Sequence, residues 1–286
     1  MSFEVLELAA FARGGVGGNP AGVAFPDAFP SDAEMLRVAA KVGHSETAFA
    51  VQQPDGAWRV RYFAPEVEVP FCGHATIALG AALGARNGAG SYRLVLNNAT
   101  IAVEAWRAAD AAWGATLMSP STWSRPAPQR LVHDITAAFG LDEDDLEPGF
   151  GPALAHAGAT HLVLALRDRQ TLARMDYDFG RAKALSIEHG LITINLIWRA
   201  PDGVIHARNA FPIGGVLEDP ATGAAAAALG GLLRDRGLLD FTKGLATFQI
   251  HQGDDMGAPS RIKVEATAQA RDGLRVSGAV RDLPAR

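Results

Sequence analysis

The first part of the chain alternates apolar and polar residues in short runs, a pattern typical of β-strands. Residues 58–63 alternate strictly, and a Pro-Asp-Gly turn separates them from the apolar run 47–52, which predicts a β-hairpin. Ser31 to Glu34 has the residue order of a capping box, so a helix is expected from about Asp32 to Lys41. Gly43 would end this helix.

Two later segments of small apolar residues have no polar face, and we expect two central helices there, at about 75–86 and 222–236. An acidic helical region is expected at 133–146, and a linker at 121–128. Further strands are predicted at 3–9, 22–26, 91–97, 100–107, 112–119, 160–166, 191–198, 203–209, 247–251, 261–268 and 274–281.

The surroundings of the two Ala-rich segments match each other. Ala75–Gly84 aligns with Ala221–Gly230 with seven identities in ten positions. With the alignment shifted by one residue, Arg61 aligns with Arg208, and Cys72 aligns with Asp219. The chain is therefore predicted to contain two copies of one structural unit.

The predicted fold class is α+β, with two pseudo-symmetric halves, each a curled mixed sheet around a central helix. The N-terminal half is expected to span 1–120, completed by a C-terminal strand at about 270–286, and the C-terminal half to span 129–269. In a pseudo-twofold arrangement both turns before the helices would face one cleft. Helix starts expose N–H groups that favour anions.

Composition narrows the possible functions. The net charge is −5 and the arginines are scattered, which argues against nucleic-acid and membrane partners. No basic and apolar leader begins the chain, and no apolar run is long enough to span a bilayer, so a cytoplasmic protein is expected. The single cysteine, Cys72, excludes an internal disulfide and a Cys-built zinc site. No metal site and no cofactor are expected.

A glycine-rich segment, Gly14–Gly18, precedes Asn19. Its order fits neither a P-loop nor a dinucleotide-binding loop, so nucleotide binding is not expected. Asn19 is expected as a polar residue at the edge of the cleft.

Three residues carry the predicted chemistry, and each has a plain structural alternative. Glu46 follows a short loop beside apolar residues, where a partly desolvated carboxylate is suited to accept a proton. It could also cap a backbone N–H or pair with a surface arginine. Asp219 precedes a helix start, where aspartate commonly caps the helix or forms an Asx-turn. His74 could be a hydrogen-bonded histidine near a helix N-terminus, and Cys72 a small buried residue.

Five motifs in order resemble the phenazine-biosynthesis (PhzF-like) isomerase family. They are Gly17–Val23, His44–Phe49, Arg61–Pro65 leading to Cys72–Thr76, Glu218–Gly223 and Gln252-Gly253. The resemblance implies the diaminopimelate-epimerase fold, a cofactor-free acid/base isomerase and a homodimer. It also implies that Glu46 is the base, and that Asp219 is a second proton-handling or substrate-orienting group.

The thiol racemases of the same fold, which the chain also resembles, use two cysteines, and this chain has one. Asp219 occupies the position of the second thiol, so a two-thiol mechanism is not available. The sequence also departs from the PhzF-like pattern at Ala224, where the family has serine, and at Ala258, where it has arginine.

The sequence thus predicts a cofactor-independent isomerase that moves a proton on a small carboxylate-bearing metabolite. Its predicted catalytic residues are Glu46, Asp219 and His74. Substrate binding is assigned to Asn19, Ser45, Gly73, Gly223 and Ala224. The alternative is a non-catalytic small-molecule binding or interaction protein on the same fold.

Overall fold

The computed structural model describes residues 3–109 and 111–284. The strands, in chain order, are β1 Val5–Ala10, β2 Asn19–Ala24, β3 Thr47–Gln52, β4 Trp58–Phe63, β5 Glu68–Val69, β6 Gly90–Val95, β7 Thr100–Arg107, β8 Trp113–Met118, β9 Thr122–Pro126, β10 Ala153–Ala157, β11 Thr160–Ala165, β12 Thr193–Arg199, β13 Ile205–Phe211, β14 Val216–Asp219, β15 Ala246–Gln252, β16 Ser260–Ala266 and β17 Arg275–Asp282.

The α-helices are α1 Asp32–Val42, α2 Gly73–Asn87, α3 Gln129–Ala138, α4 Arg169–Ala173, α5 Phe179–His189 and α6 Gly223–Asp235. Short 3₁₀ turns occupy Glu143–Asp145 and Pro212–Gly214. Among the described residues, no helix combines the length and the apolarity needed to cross a membrane. The structure confirms the predicted α+β class and both Ala-rich helices.

Helix α1 follows the predicted capping pattern. The Ser31 side chain accepts a hydrogen bond from the Glu34 N–H at 3.3 Å, and Gly43 ends the helix with φ of +71°. A left-handed φ of this size is favourable for glycine and costly for most other residues.

The described structure divides into two compact units, Met1–Met118 with Ser277–Arg286, and Ser119–Val276. In the first unit the strands form a closed circuit. Strand β1 pairs with β2, and β2, β3 and β4 follow in order. Strand β4 continues to β6, β7 and β8, and β17 closes the circuit between β8 and β1.

Helix α2 lies buried within its unit, with every residue from His74 to Gly84 in the buried class. Small residues make this possible, because a Cβ on Gly80 would lie 2.6 Å from Val103 Cγ2 and one on Gly84 would lie 2.6 Å from Trp113. The Ala and Gly content read from the sequence therefore reflects close contact with strands.

In the second unit, β9 to β13 follow one another as neighbours. Strand β13 then pairs in parallel with β15, which pairs with β16. Helix α6 is buried along Ala225–Arg234. Here too glycine allows close packing, since a Cβ on Gly230 would lie 2.3 Å from Leu274 and one on Gly231 2.7 Å from Thr122.

The internal duplication extends to an ion pair present in both units. Arg61 on β4 donates two hydrogen bonds to Glu68 at 2.8 and 2.5 Å, and Arg208 on β13 donates two to Glu218 at 2.8 and 2.7 Å. Each pair joins a strand to the short strand that precedes the buried helix. The alignment of Arg61 with Arg208 therefore corresponds to a shared structural role.

Two predictions on local structure are wrong. The expected linker at 121–128 contains strand β9, which pairs with β10 over Thr122–Pro126, because its prolines lie at the strand end and beyond it. The acidic stretch 133–146 is not one helix, since α3 ends at Ala138 and the acidic residues form a 3₁₀ turn capped by Asp142. Strands β5, β10 and β14 and helices α4 and α5 were not predicted.

The glycine-rich segment is a hairpin turn between β1 and β2. Arg13 and Val16 exchange backbone hydrogen bonds at 2.9 and 3.0 Å, and Gly14 and Gly15 both have positive φ, +51° and +82°. Positive φ at both central residues is the requirement of a tight hairpin turn. This conformation accounts for Gly14 and Gly15.

Candidate active site

Glu46 is the last residue of the loop that follows α1, immediately before β3. Its carbonyl accepts a hydrogen bond from the Gly22 N–H at 3.0 Å, and its side chain is 20% exposed. Within residues 3–109 and 111–284, no arginine pairs with Glu46, and its buried Oε2 has no hydrogen-bond partner. The surface Glu–Arg pair considered from the sequence is therefore absent from the described structure.

His74, the second residue of α2, is the imidazole neighbour of Glu46. Its Nε2 lies 3.4 Å from Glu46 Oε2 and 3.2 Å from Ser45 Oγ, with which it shares a hydrogen bond. The structure thus brings three predicted site residues, Ser45, Glu46 and His74, into direct contact. A carboxylate, an imidazole and a hydroxyl in contact are suited to accept and return a proton.

Cys72 completes this group of four residues, which we call the Glu46 cluster: Ser45, Glu46, Cys72 and His74. Cys72 is buried, as predicted, and its Sγ lies 3.4 Å from His74 Nδ1. Both ring nitrogens of His74 therefore have polar neighbours, Ser45 at Nε2 and Cys72 at Nδ1. The thiol contributes to the orientation of the imidazole, a role that its sequence position alone did not indicate.

A buried chain of hydrogen bonds next to the Glu46 cluster holds the turn that precedes α2. Thr76 Oγ1 donates to the Cys72 carbonyl at 2.7 Å, and the Tyr62 hydroxyl lies 2.7 Å from the same Oγ1. Burial raises the pKa of Tyr62, so the phenol stays protonated and donates to Thr76. The turn carrying Cys72 and His74 is therefore anchored to β4.

Glu46, Cys72 and His74 also offer metal-binding atoms that lie within 4.8 Å of one another. A carboxylate, a thiol and an imidazole can together bind a soft or borderline cation such as Zn²⁺. An ion bound there would occupy the groups needed for proton transfer.

Asn19 and Gly73, the other two predicted substrate-binding residues of the first unit, lie at the start of a strand and at the start of a helix. Asn19 begins β2, pairs with Ala10 in the β1–β2 ladder and is 2% exposed. Gly73 begins α2, and a Cβ there would meet only Phe71, at 3.9 Å. Cys72, the N-cap residue, makes no side-chain hydrogen bond to the first helical N–H groups. The N-cap side chain therefore does not satisfy these amides.

In the second unit, Asp219 ends β14. It is not the N-cap residue of α6, since that position is occupied by Thr222. The Thr222 side chain makes no capping hydrogen bond to the helix. Instead, Thr222 Oγ1 donates to Asp219 Oδ2 at 2.5 Å. The capping role considered from the sequence therefore does not describe Asp219.

A buried polar network leads to this carboxylate, and we call it the Asp219 network: His161, Thr193, Asn209, Asp219, Thr222 and Gln252. Gln252 is its centre. Its Nε2 donates to the Asp219 carbonyl at 2.7 Å and to Thr222 Oγ1 at 3.1 Å, and its Oε1 accepts from Asn209 Nδ2 at 3.2 Å. These bonds fix the Gln252 amide and hold the Asp219-Pro220 turn.

The far end of the network is the fully buried His161. Thr193 Oγ1 donates to Asn209 Oδ1 at 2.7 Å, so it accepts from His161 Nδ1, also 2.7 Å away. Burial lowers the pKa of His161 to about 3, which keeps the ring neutral with its proton on Nδ1. The opposite nitrogen, Nε2, is buried without a partner among the described residues.

Donors in this network point toward Asp219. From His161, each hydroxyl or amide donates to the next group, and the last donor, Thr222, donates to the carboxylate. The network therefore presents Asp219 in a fixed orientation.

Glycine is required where the network meets the following loop. A Cβ on Gly253, which has φ of +77°, would lie 2.2 Å from the Ala258 carbonyl oxygen and 2.8 Å from that of Pro220. Any side chain at position 253 would push apart the turn that carries Asp219. This is the physical basis of the Gln252-Gly253 motif in the chain.

Gly223 and Ala224 are the first two residues of α6. Because the Thr222 hydroxyl binds Asp219 rather than the helix, the N–H groups at this helix start have no side-chain cap. Both buried helices therefore begin with amides that no N-cap side chain satisfies. Such helix starts favour anions.

The residues that sequence reasoning missed are mostly hydroxyls and amides. Thr76 and Thr222 align in the internal repeat, and this identity between copies is a signal that could have identified both. Gln252 was included in a motif without a role. His161, Thr193 and Asn209 lie on separate strands, and no local pattern joins them.

Comparisons with known proteins agree on one family. The phenazine biosynthesis-like protein (PhzC-PhzF) family model matches residues 8–280. An uncharacterized isomerase of Deinococcus radiodurans is 35% identical over 267 residues, covering 91% of this chain and 85% of that protein. The trans-2,3-dihydro-3-hydroxyanthranilate isomerase of Pseudomonas chlororaphis is 31% identical, covering 93% and 91%.

A solved structure shows the same fold. The PhzF-family phenazine biosynthesis protein of Bacillus anthracis superimposes with a TM-score of 0.87 at 21% identity, covering 99% of this chain and 98% of that one. At this identity the similarity concerns the fold. It confirms the fold class expected from the sequence.

Proposed function

The chain belongs to the phenazine biosynthesis-like (PhzC-PhzF) family and is an isomerase, and we propose that it moves a proton between two carbon atoms of a small carboxylate-bearing metabolite without a cofactor. The observation that carries this proposal is the contact between Glu46 and His74, 3.4 Å apart. A base and an acid in contact can remove a proton from one position and return it at another.

Glu46 is proposed as the base. Its Oε2 is buried and accepts no hydrogen bond from the described residues, so this oxygen is available to a C–H proton of a substrate. A buried acceptor without a hydrogen bond is unfavourable in a folded protein. Such a group is consistent with a site that is complete only when a ligand is bound.

His74 is proposed to act with Glu46 as an acid or orienting group. Contacts with Ser45 and Cys72 hold its ring, while Nε2 faces the carboxylate. When Glu46 takes the proton from carbon, the electron pair passes into the conjugated system of the substrate. The same proton then returns from Glu46 at the second carbon, or His74 delivers its own proton there and is reprotonated by Glu46, 3.4 Å away.

Helix-start amides are proposed as substrate-binding groups for an anion: that of Gly73 within the first unit, and those of Gly223 and Ala224 within the second. Neither start has a side-chain cap. A negative charge near a helix N-terminus is stabilised by roughly 0.3–1 kcal/mol in exposed sites. Ala224 supplies its N–H but no hydroxyl, which would alter the preference among carboxylates.

Asp219 is proposed as a second proton-handling or orienting group, and Asn19 and Ser45 as further substrate-binding residues. The support for Asp219 is the directed donor network that ends on its carboxylate, through Gln252 and Thr222. We also propose, from family membership, that the protein acts in the cytoplasm as a homodimer.

Solvent-exchange NMR tests the proposal. The protein would be incubated in D₂O with a panel of cyclic and aromatic carboxylates, including trans-2,3-dihydro-3-hydroxyanthranilate, the compound in the relative's name. We expect one of them to isomerise, with deuterium or the migrating proton appearing at the new carbon. Glu46→Gln should abolish this change while the variant remains folded.

A non-catalytic binding protein on the same fold predicts a different result. Ligands would then bind wild type and Glu46→Gln equally, and no carbon-bound proton would exchange. That outcome, for the whole panel, would contradict the proton-transfer proposal.

A further inference from the structure

Four side chains form a cross-strand row on one face of the second unit's sheet. Trp198 on β12 is the register partner of His206 on β13, His206 of His251 on β15, and His251 of Arg261 on β16. Side chains at register partners lie on the same face of a sheet. The ring centroids of the two histidines are 5.2 Å apart, and Trp198 packs against His206 at 5.3 Å.

The loop after β15 adds a carboxylate to this row. His206, His251 and Asp254 each offer a ligand atom, and these three atoms lie within 4.8 Å of one another. Two ligand atoms of a tetrahedral zinc ion lie about 3.4 Å apart, since Zn–N and Zn–O bonds are roughly 2.0–2.2 Å long. Small side-chain rotations would close the three donors around one ion.

We propose that His206, His251 and Asp254 form a binding site for a borderline transition-metal dication, of which Zn²⁺ is the representative. Two imidazoles and one carboxylate are a common donor set for such ions, and they leave a fourth position for water. This site lies on the face of β15 opposite to Gln252, because neighbouring residues of a strand point to opposite faces.

The surroundings of the three donors fit a metal site. His206 Nδ1 is buried with no hydrogen-bond partner in the part of the chain that the structure describes, so this imidazole has unused bonding capacity. All three residues are partly exposed, which gives an ion a path from solvent. Histidines that serve only as packing would be expected to have their ring nitrogens satisfied.

Charge at the site is nearly balanced before a metal binds. Arg261 donates two hydrogen bonds to Asp254, both at 3.0 Å, and Arg169 pairs with the neighbouring Asp255 at 2.8 Å. The two hydrogen bonds from Arg261 reach both oxygens of the Asp254 carboxylate and fix its orientation. Outer partners of this kind orient metal ligands in known sites.

A bound ion would join β13, β15 and the loop that begins at Gly253. That loop lies against the turn at Pro220, because a Cβ on Gly253 would come within 2.8 Å of the Pro220 oxygen. The metal site would therefore stabilise the segment that supports Asp219 from the other face of β15.

Titration of the full-length, chelator-treated protein with Zn²⁺ tests the site, with Co²⁺ as a spectroscopic probe. We expect one equivalent to bind to wild type, and His206→Gln and His251→Gln each to weaken binding by at least about tenfold. His189→Gln is the matched control for loss of a histidine, and should bind as wild type does.

Cys72→Ser separates this site from the Glu46 cluster, which has its own metal-binding atoms. If zinc binds at His206 and His251, this variant binds as wild type does, and Co²⁺ bound to the wild-type protein shows no thiolate absorption. Asp254→Asn changes a loop rather than a strand and supplies a third test if a histidine variant fails to fold. Failure of wild type to bind, or loss of binding only in Cys72→Ser, would overturn the proposal.

Discussion

Glu46 Oε2 and His74 Nε2 lie 3.4 Å apart, and the described structure provides no hydrogen-bond partner for that Oε2. Two elements create this relationship: Glu46 precedes strand β3 and His74 lies in the first turn of α2. Strand β3 is buried over its first four residues and α2 along most of its length, so each residue of the pair is directly joined to a buried element. Rigid placement of acid and base groups is what proton transfer requires.

The first prediction concerns the basicity of Glu46. Glu46→Gln keeps the shape of the side chain but removes its capacity to accept a proton, so turnover should fall by about 10²–10⁴-fold. The free energy of unfolding should change little. Glu66→Gln, a change at an exposed glutamate of the same unit, is the control and should leave turnover unchanged. Near-normal turnover in Glu46→Gln would remove the residue from the base role.

The second prediction separates positioning from catalysis at Cys72. Its Sγ contacts His74 Nδ1, and a serine hydroxyl can make the same type of contact. Cys72→Ser should therefore retain turnover within about tenfold, the scale of one weakened hydrogen bond. Cys72→Ala, which removes the contact, should lower kcat further and shift its pH profile. A complete loss in the folded serine variant would instead make the thiol a proton donor.

The third prediction concerns the donor that ends on Asp219. Thr222→Val is nearly isosteric but removes the 2.5 Å hydrogen bond to the carboxylate. A hydrogen bond to a charged group contributes roughly 1.5–3 kcal/mol, so turnover should fall by about tenfold or more if Asp219 takes part in the reaction. Thr222→Ser retains the hydroxyl and should behave as wild type. Equal kcat in both variants would show that Asp219 orientation does not affect the reaction.

The fourth prediction is a pH dependence of stability caused by His161. Burial lowers its pKa to about 3 in the folded protein, below the value of about 6.5 in an unfolded chain. Between these values the unfolded state binds the extra proton. The free energy of unfolding should therefore fall as pH falls from about 6.5 toward 3, by up to about 1.4 kcal/mol per pH unit for this one group.

Urea unfolding between pH 7 and pH 5 measures this slope. His161→Leu should reduce it by close to one proton, while the lowered pKa values of His156 and His206 remain in both proteins. Thr193→Val removes the hydroxyl that accepts from His161 but no titrating group, so it should lower stability at every pH and leave the slope in place. An unchanged slope in His161→Leu would contradict the assignment.

Local sequence patterns and the internal repeat predicted most of the secondary structure and the fold. Alternation identified β4 and an apolar run identified β3, the capping order identified α1, and the match between Ala75–Gly84 and Ala221–Gly230 identified both central helices. These signals are reliable because each depends on neighbours within a few residues, or on a repeated burial environment. The linker prediction was wrong because the proline and serine content of 121–128 hid a strand whose partner, β10, lies about 30 residues later.

The sequence by itself determined the fold class, the family and the identity of the residues predicted to act, since motifs record which residues are present and in what order. Only the tertiary structure decided which of them meet. It placed Ser45, Glu46, Cys72 and His74 in contact, and it joined six residues from His161 to Asp219 in one network. It also paired His206 with His251, 45 positions further along the chain, through a parallel strand register. Such contacts depend on strand pairing between distant segments, and the periodicity of one segment contains no information about its partner.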